Sequence, residues 1–154
     1  MPDIADIHTM LKILNHLGVE NSFANNTLKI HAETIKTSAI PHELVSKLRG
    51  SSLLLGSLLA RQKDVSLAFP GGCVLGKRPM DAHLMALEAL GAQSVMQDDL
   101  IHLKTSGLKG VDFTMTEASV TATENAITAA ATASGTTVIR LAASEPHVQD
   151  LCHF

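Results

Sequence analysis

Apolar residues near the start of the chain recur at three- and four-residue spacing: Ile7, Met10, Leu11, Leu14 and Leu17. That spacing marks one face of a helix. The stripe ends at Gly18, where glycine tolerates the left-handed backbone that closes a helix. A short strand, the pair Asn25-Asn26 and a second strand over Leu28 to Ile30 follow, and an Asn pair between two such runs predicts a hairpin turn. The same series returns about 73 residues later, counted from Gly18 to Gly91. Met80, His83, Leu84, Leu87 and Leu90 form the equivalent stripe, Asp98-Asp99 the turn, and Ile101 to Leu103 the second strand.

The correspondence continues downstream. Ser46 meets Ser119, each near the start of a second helix, and Val65 meets Val138, each in a β-rich run after it. One unit therefore reads helix, strand, strand, room for a third strand, helix, strand. Two amphipathic helices aligned only by their caps would give part of this pattern; agreement of the turns and second helices favours a duplication. The second helices are expected over Leu44 to Arg61, with leucine around much of its circumference, and Ser119 to Ser134, almost entirely Ala, Thr and Ser with Val120 and Ile127 its large apolar residues. Neither has the polar face of a surface helix, so both are expected inside, covered by sheets. Glu145-Pro146 opens what reads as a third copy. The expected organisation is repeat one over about 3–75, repeat two over about 76–144 and the start of a third at 145–154.

Composition narrows the classes. A chain of 154 residues that is 45% hydrophobic and 18% charged is long enough and apolar enough to fold as one unit. Aromatics are 3%, with no Trp or Tyr, so aliphatic side chains and alanine must fill the core. A net charge of -3 offers no basic footprint for nucleic acid, and base stacking has few platforms. MPDIADIHTM shows no basic flank before an apolar core, and the run Leu53 to Ala60 is broken by Gly56-Ser57 and too short to span a bilayer. A soluble, cytoplasmic protein is expected, without membrane or nucleic-acid partners. Cys73 and Cys152 fit neither a disulfide framework nor a zinc pattern and read as free thiols; no metal and no cofactor is implied.

The densest chemistry is in PGGCVLGKRPMDAHL, Pro70 to Leu84. Cys73 taken alone has two readings. One is a small hydrophobe packed under a turn. The other is a thiol made acidic by Lys77, Arg78 and the donor-rich helix start at Pro79, on glycines that let a ligand approach the backbone.

This stretch, together with KLRGSSLLLGSLLAR upstream and SVTATENAITAAATASGTTVI and AASEPHVQD downstream, resembles the UDP-N-acetylglucosamine 1-carboxyvinyltransferases, the enolpyruvyl transferases of peptidoglycan synthesis. The match runs over essentially the whole chain with its motifs in order. The resemblance implies an α/β fold, an inside-out α-β barrel (prism) of repeated units with buried helices and outer sheets. It also implies that 1–154 is a single partial domain, the central and later part of the first of two, without the opening segment and without the second domain.

The implied reaction moves the enolpyruvyl group of phosphoenolpyruvate to the 3'-hydroxyl of UDP-N-acetylglucosamine and releases phosphate. By position, Cys73 supplies the proton to carbon 3 of phosphoenolpyruvate as the hydroxyl attacks carbon 2, and a positioned acid is worth about 10²- to 10⁴-fold in rate. Arg78 stands where an arginine touches both substrates, its planar fork suited to phosphate and carboxylate. Pro79, Met80, Asp81 and Ala82 map onto the uridine-binding run, with His83 beside them; without the resemblance, Asp81 reads as a first-turn carboxylate and His83 as a satisfied core histidine. Arg49 matches an arginine associated with the nucleotide sugar. Glu117, Ala118, Ser119 and Val120 match the loop that cradles the diphosphate at a helix N-terminus, although some members carry lysine where this chain has Glu117. His8 stands in place of an expected aspartate and receives no role.

Groups that such a reaction needs lie, in that family, in the second domain, so this chain by itself is expected to have negligible turnover. The alternative is a non-catalytic domain that binds the nucleotide sugar or self-associates as a homo-oligomer through the surface of an unpaired repeat.

Overall fold

The computed structural model describes residues 1–70 and 79–154. The chain runs α1 (Ala5–His16), β1 (Glu20–Ala24), β2 (Thr27–His31), β3 (Ala39–Ile40), α2 (His42–Val45), a 3₁₀ helix (Arg49–Leu53), α3 (Leu54–Gln62) and β4 (Asp64–Ala68). It continues with α4 (Asp81–Ala89), β5 (Gln93–Gln97), β6 (Leu100–Lys104), β7 (Asp112–Thr114), α5 (Val120–Ala130), β8 (Val138–Arg140) and α6 (Pro146–His153).

The punctuation expected from the sequence is present in the backbone. Asn25 and Asn26 have φ of 50° and 58°, and Asp98 and Asp99 have 49° and 62°. Two consecutive left-handed residues make the turn whose twist matches a two-residue hairpin, and Asn and Asp bear that conformation better than most residues. Gly18 and Gly91, at φ of 87° and 100°, close α1 and α4 in the same way. The Gly18 and Val19 N–H groups donate to Asn15 and Leu14, and those of Gly91 and Ala92 to Glu88 and Leu87. This double bond pattern satisfies the last carbonyls of each helix.

Strand pairing interleaves the two halves. β3 and β4 pair in parallel, β6 adds antiparallel to β4, and β5 lies outside β6, for the order β3-β4-β6-β5. The hairpin of the second half thus completes the sheet begun by the first. β1–β2 and the parallel pair β7–β8 each stand as two-stranded sheets, and no closed barrel forms among the described residues. Ala39 faces Ser66, whereas Asp112 faces Val138, so the span between parallel partners is one residue shorter in the second half. The alignment of Val65 with Val138 is therefore slipped by one position in the folded structure.

The helix expected over Leu44 to Arg61 is divided. Leu48 adopts φ −143° and ψ 108°, the Ser51 hydroxyl donates to the Leu48 carbonyl at 2.7 Å, and the chain passes through the 3₁₀ helix before α3. A serine that captures a nearby carbonyl competes with regular helix. α3 then ends at Lys63, which takes the left-handed conformation at φ 61°. The other second helix, α5, is shorter than Ser119 to Ser134 but continuous.

Leu55, Gly56, Leu58 and Leu59 of α3 are all buried. On α5 the buried residues are Ala122, Thr123, Asn125, Ala126 and Ala129, while Val120 and Ile127 are only half-buried. A Cβ at Gly56 would lie 2.4 Å from the Asn125 carbonyl oxygen, so the absence of a side chain is what lets α3 cross α5 at this distance. Ala82 and Ala86 of α4 and Ala122 and Ala126 of α5 form a second buried cluster with Met115, which follows β7. Around these helices, Val65 and Leu67 of β4 and Ile101 and Leu103 of β6 send fully buried side chains inward. The two equivalent first helices differ: α1 buries Leu11 and Ile13, the latter outside the stripe read from the sequence, while α4 buries five of its residues and exposes Asp81 and Glu88.

Candidate functional site

The N-termini of α4 and α5 are brought together by packing. His83, in the first turn of α4, lies with its Nε2 3.1 Å from Thr121 Oγ1 in the first turn of α5. Neither flanking residue, Met80 for α4 or Ser119 for α5, caps its helix with a side-chain hydrogen bond. Unpaired N–H groups and the aligned peptide dipoles at such termini favour anions. The Arg49 guanidinium, from the 3₁₀ helix, donates to the Pro79 carbonyl at 3.2 Å and so ties a third element to this corner.

Beneath the corner is a buried polar network. Asn125 Oδ1 accepts the Gly56 N–H at 2.7 Å, an early donor of α3. Its Nδ2 lies 2.9 Å from the Ser52 carbonyl, 2.9 Å from His83 Nδ1 and 3.2 Å from the Thr121 carbonyl. Asn125 is fully buried and His83 is 2% exposed. Burial, with the Arg49 charge adding to it, pushes the His83 pKa down to about 4, so the ring is neutral at physiological pH. Thr123 extends the network: its hydroxyl donates to the Ser119 carbonyl at 2.8 Å and accepts the Ala143 N–H at 3.0 Å, docking the strand exit onto α5.

Of the residues singled out in the sequence, Cys73 and Arg78 lie outside the described residues. Arg49, Pro79, His83 and the Ser119–Val120 step come to the same corner, with Pro79 and Asp81 exposed. Met80 and Ala82 have their side chains in the core, at 2% and 5% exposure. Glu117 and Ala118 are exposed just before α5, and the Glu117 carbonyl accepts the Ser119 N–H at 2.8 Å. His83 has both ring nitrogens engaged within the protein, the arrangement of a satisfied interior histidine. Sequence reasoning missed Asn125, Ser52 and Thr121. The available signal was an amide in the middle of an Ala-rich helix, where asparagine is a poor helix former and must be justified by a partner. Among the described residues no group of His, Cys, Asp and Glu is placed to hold a metal ion, and no helix is long and apolar enough to cross a membrane.

Comparison with known proteins agrees with this architecture. The profile of EPSP synthase (3-phosphoshikimate 1-carboxyvinyltransferase) matches residues 1–154. The UDP-N-acetylglucosamine 1-carboxyvinyltransferase of Chlorobium luteolum is 45% identical over 156 residues, and that of Helicobacter acinonychis 44%; each alignment covers 100% of this chain and 37% of the relative. The chain thus spans little more than a third of the length of the curated relatives it matches. In structure it resembles the enolpyruvyl transferase NikO from Streptomyces tendae, with a TM-score of 0.84 at 20% identity over 99% of this chain and 36% of that one. It also resembles EPSP synthase from Acinetobacter baumannii, with a TM-score of 0.71 at 21% identity over 97% and 35%. These likenesses show that the α/β arrangement of buried helices and flanking sheets is an enolpyruvyl transferase fold. With the family profile matching residues 1–154 and whole-chain identities of 44% and 45%, the chain belongs to the EPSP synthase family.

Proposed function

We propose that the chain supplies the nucleotide-sugar side of an enolpyruvyl transferase that moves the enolpyruvyl group of phosphoenolpyruvate to the 3'-hydroxyl of UDP-N-acetylglucosamine, in peptidoglycan precursor synthesis. The 45% identity along its full length to an enzyme of that name carries the reading. The corner where α4, α5 and Arg49 meet fits the substrate's charge, since a diphosphate is what two helix N-termini without a side-chain cap from Met80 or Ser119, together with a guanidinium, attract. Arg49, Arg78 and the Pro79–His83 run are assigned to the nucleotide sugar, with Pro79 and Asp81 the exposed members of that run and Met80 and Ala82 offering backbone only. Glu117 to Val120 border the diphosphate, with the Glu117 carboxylate turned away from it. Cys73 is assigned as the proton donor to carbon 3. The first-domain division into repeats near residues 75 and 144 belongs to the same reading.

Turnover is expected to need chain beyond this domain. The experiment is twofold: calorimetric titration of the chain with UDP-N-acetylglucosamine, and mass measurement after exposure to an epoxide-phosphonate analogue of phosphoenolpyruvate. Saturable binding, with adduct on Cys73 and none on the exposed Cys152, supports the assignment. No binding and equal labelling of both thiols would refute it.

A second reading, a self-associating domain, is favoured by the strand pairing. β4 is completed by the hairpin strand β6, while its counterpart β8 has β7 as its sole partner among the described residues. Val138 and Leu141 beside that edge are 41% and 57% exposed. An open strand edge with apolar neighbours favours strand addition from a second copy. Sedimentation of the chain as a monomer at micromolar concentration would exclude it.

A further inference from the structure

The Asn125 amide is oriented by its surroundings without ambiguity. Gly56 N–H can only donate, so the atom facing it at 2.7 Å is Oδ1; the Ser52 carbonyl can only accept, so the atom facing it at 2.9 Å is Nδ2. The same Nδ2 faces His83 Nδ1 at 2.9 Å, and that ring nitrogen must therefore be the unprotonated one. The neutral imidazole then carries its hydrogen on Nε2, which donates to Thr121 Oγ1 at 3.1 Å. A hydroxyl that accepts from the ring keeps its own hydrogen for another acceptor. Thr123 and Thr128, one and two turns on from the start of α5, send theirs back to carbonyls of the preceding turn, Ser119 at 2.8 Å and Glu124 at 3.0 Å. Thr121 makes no such bond among the described residues, although it sits in the first turn of the same helix.

We propose that Asn125 is a positioning residue for the nucleotide-sugar site: by holding His83 as an Nε2–H donor it turns the Thr121 hydroxyl hydrogen outward, where Thr121 donates to an oxygen of the bound diphosphate. This rests on the reading that Glu117 to Val120 border that diphosphate. The chain of bonds runs from α3 through α5 to α4 and back to the first turn of α5. It couples the α3–α5 crossing at Gly56 to the direction of one hydroxyl at the surface. Asn125 itself touches no substrate, and His83 acts from inside the protein through Thr121.

The test uses the chain with nitrogen-15 in its histidines and two variant series. Long-range proton–nitrogen spectra at neutral pH are expected to show His83 with Nδ1 unprotonated and Nε2 protonated. In Asn125→Asp the carboxylate accepts from the ring, and the hydrogen is expected to move to Nδ1. Thr121→Val is expected to weaken binding of UDP-N-acetylglucosamine about tenfold, the loss of one hydrogen bond to a charged group. Thr121→Ser is expected to keep wild-type affinity, and Asn125→Asp combined with Thr121→Val to bind no more weakly than Thr121→Val alone. A purely structural role for Asn125 would leave the two losses additive. Wild-type His83 protonated at Nδ1, or Thr121→Val binding as tightly as wild type, overturns the proposal. Absence of UDP-N-acetylglucosamine binding by the wild-type chain refutes the nucleotide-sugar reading and the ligand role of Thr121 with it, whereas the imidazole spectrum decides independently whether Asn125 sets the tautomer.

Discussion

Mild acid is expected to destabilise this protein through a single interior histidine. His83 is 2% exposed, accepts from Asn125 at Nδ1, and has its pKa pushed from 6.5 down to about 4 by burial and by Arg49. Because the folded pKa lies below the unfolded one, the unfolded chain binds the extra proton first. The stability that the neutral ring contributes is complete above about pH 6.5 and is lost progressively as the pH falls toward 4. At pH 5 the unfolded histidine is almost fully charged and the native one still about nine-tenths neutral, a difference that linkage converts to about 2 kcal/mol. Asp64, held low chiefly by its hydrogen bond from His102, and Asp112, held low by Arg140, have carboxyls below the ordinary 3.8, so the stability they contribute is lost mainly at pH values lower than the interval from pH 7 to pH 5. Urea unfolding at pH 7 and pH 5 measures the loss, followed by far-ultraviolet circular dichroism because the chain has no Trp or Tyr for fluorescence. In His83→Gln the loss between the two pH values is expected to shrink to a few tenths of that amount. Equal losses in the two proteins would show that the ring does not carry the effect.

Three further outcomes follow from the geometry. Gly56→Ala sets a methyl 2.4 Å from the Asn125 carbonyl oxygen and 2.6 Å from Thr128 Oγ1, so it is expected to cost about 1–3 kcal/mol in urea unfolding despite the better helix propensity of alanine. Lys63→Gly relieves a left-handed lysine at the end of α3 and is expected to raise stability by up to about 1 kcal/mol, seen as a higher thermal midpoint. Arg49→Ala is expected to weaken UDP-N-acetylglucosamine binding more than about tenfold by calorimetry, and binding at wild-type affinity would remove Arg49 from the site.

What the amino-acid sequence determined by itself is local. Gly18, Gly91, Asn25-Asn26 and Asp98-Asp99 take left-handed backbone here, a conformation these residue types bear at low cost, and standing between an apolar stripe and a strand, or between two strands, they mark helix ends and hairpin turns in the sequence alone. The three- and four-residue spacing of α1 and α4 was readable for the same reason. The ordered motifs also pointed to the family, and the structure brings Arg49, His83 and the start of α5 to one corner. The tertiary structure alone decided which strand completes which sheet, since β6, from the second half of the chain, joins β4 of the first. It alone decided that α4 is buried on most sides while its counterpart α1 shows one face to water. The break at Leu48 and the Gly56–Asn125–His83 network belong to the same class. Gly56 and Asn125 are 69 residues apart in the chain, and their bond depends on two helices crossing closely enough to strip both groups of water. No spacing rule encodes that, because a buried amide acquires its partners only when the chain has closed around it.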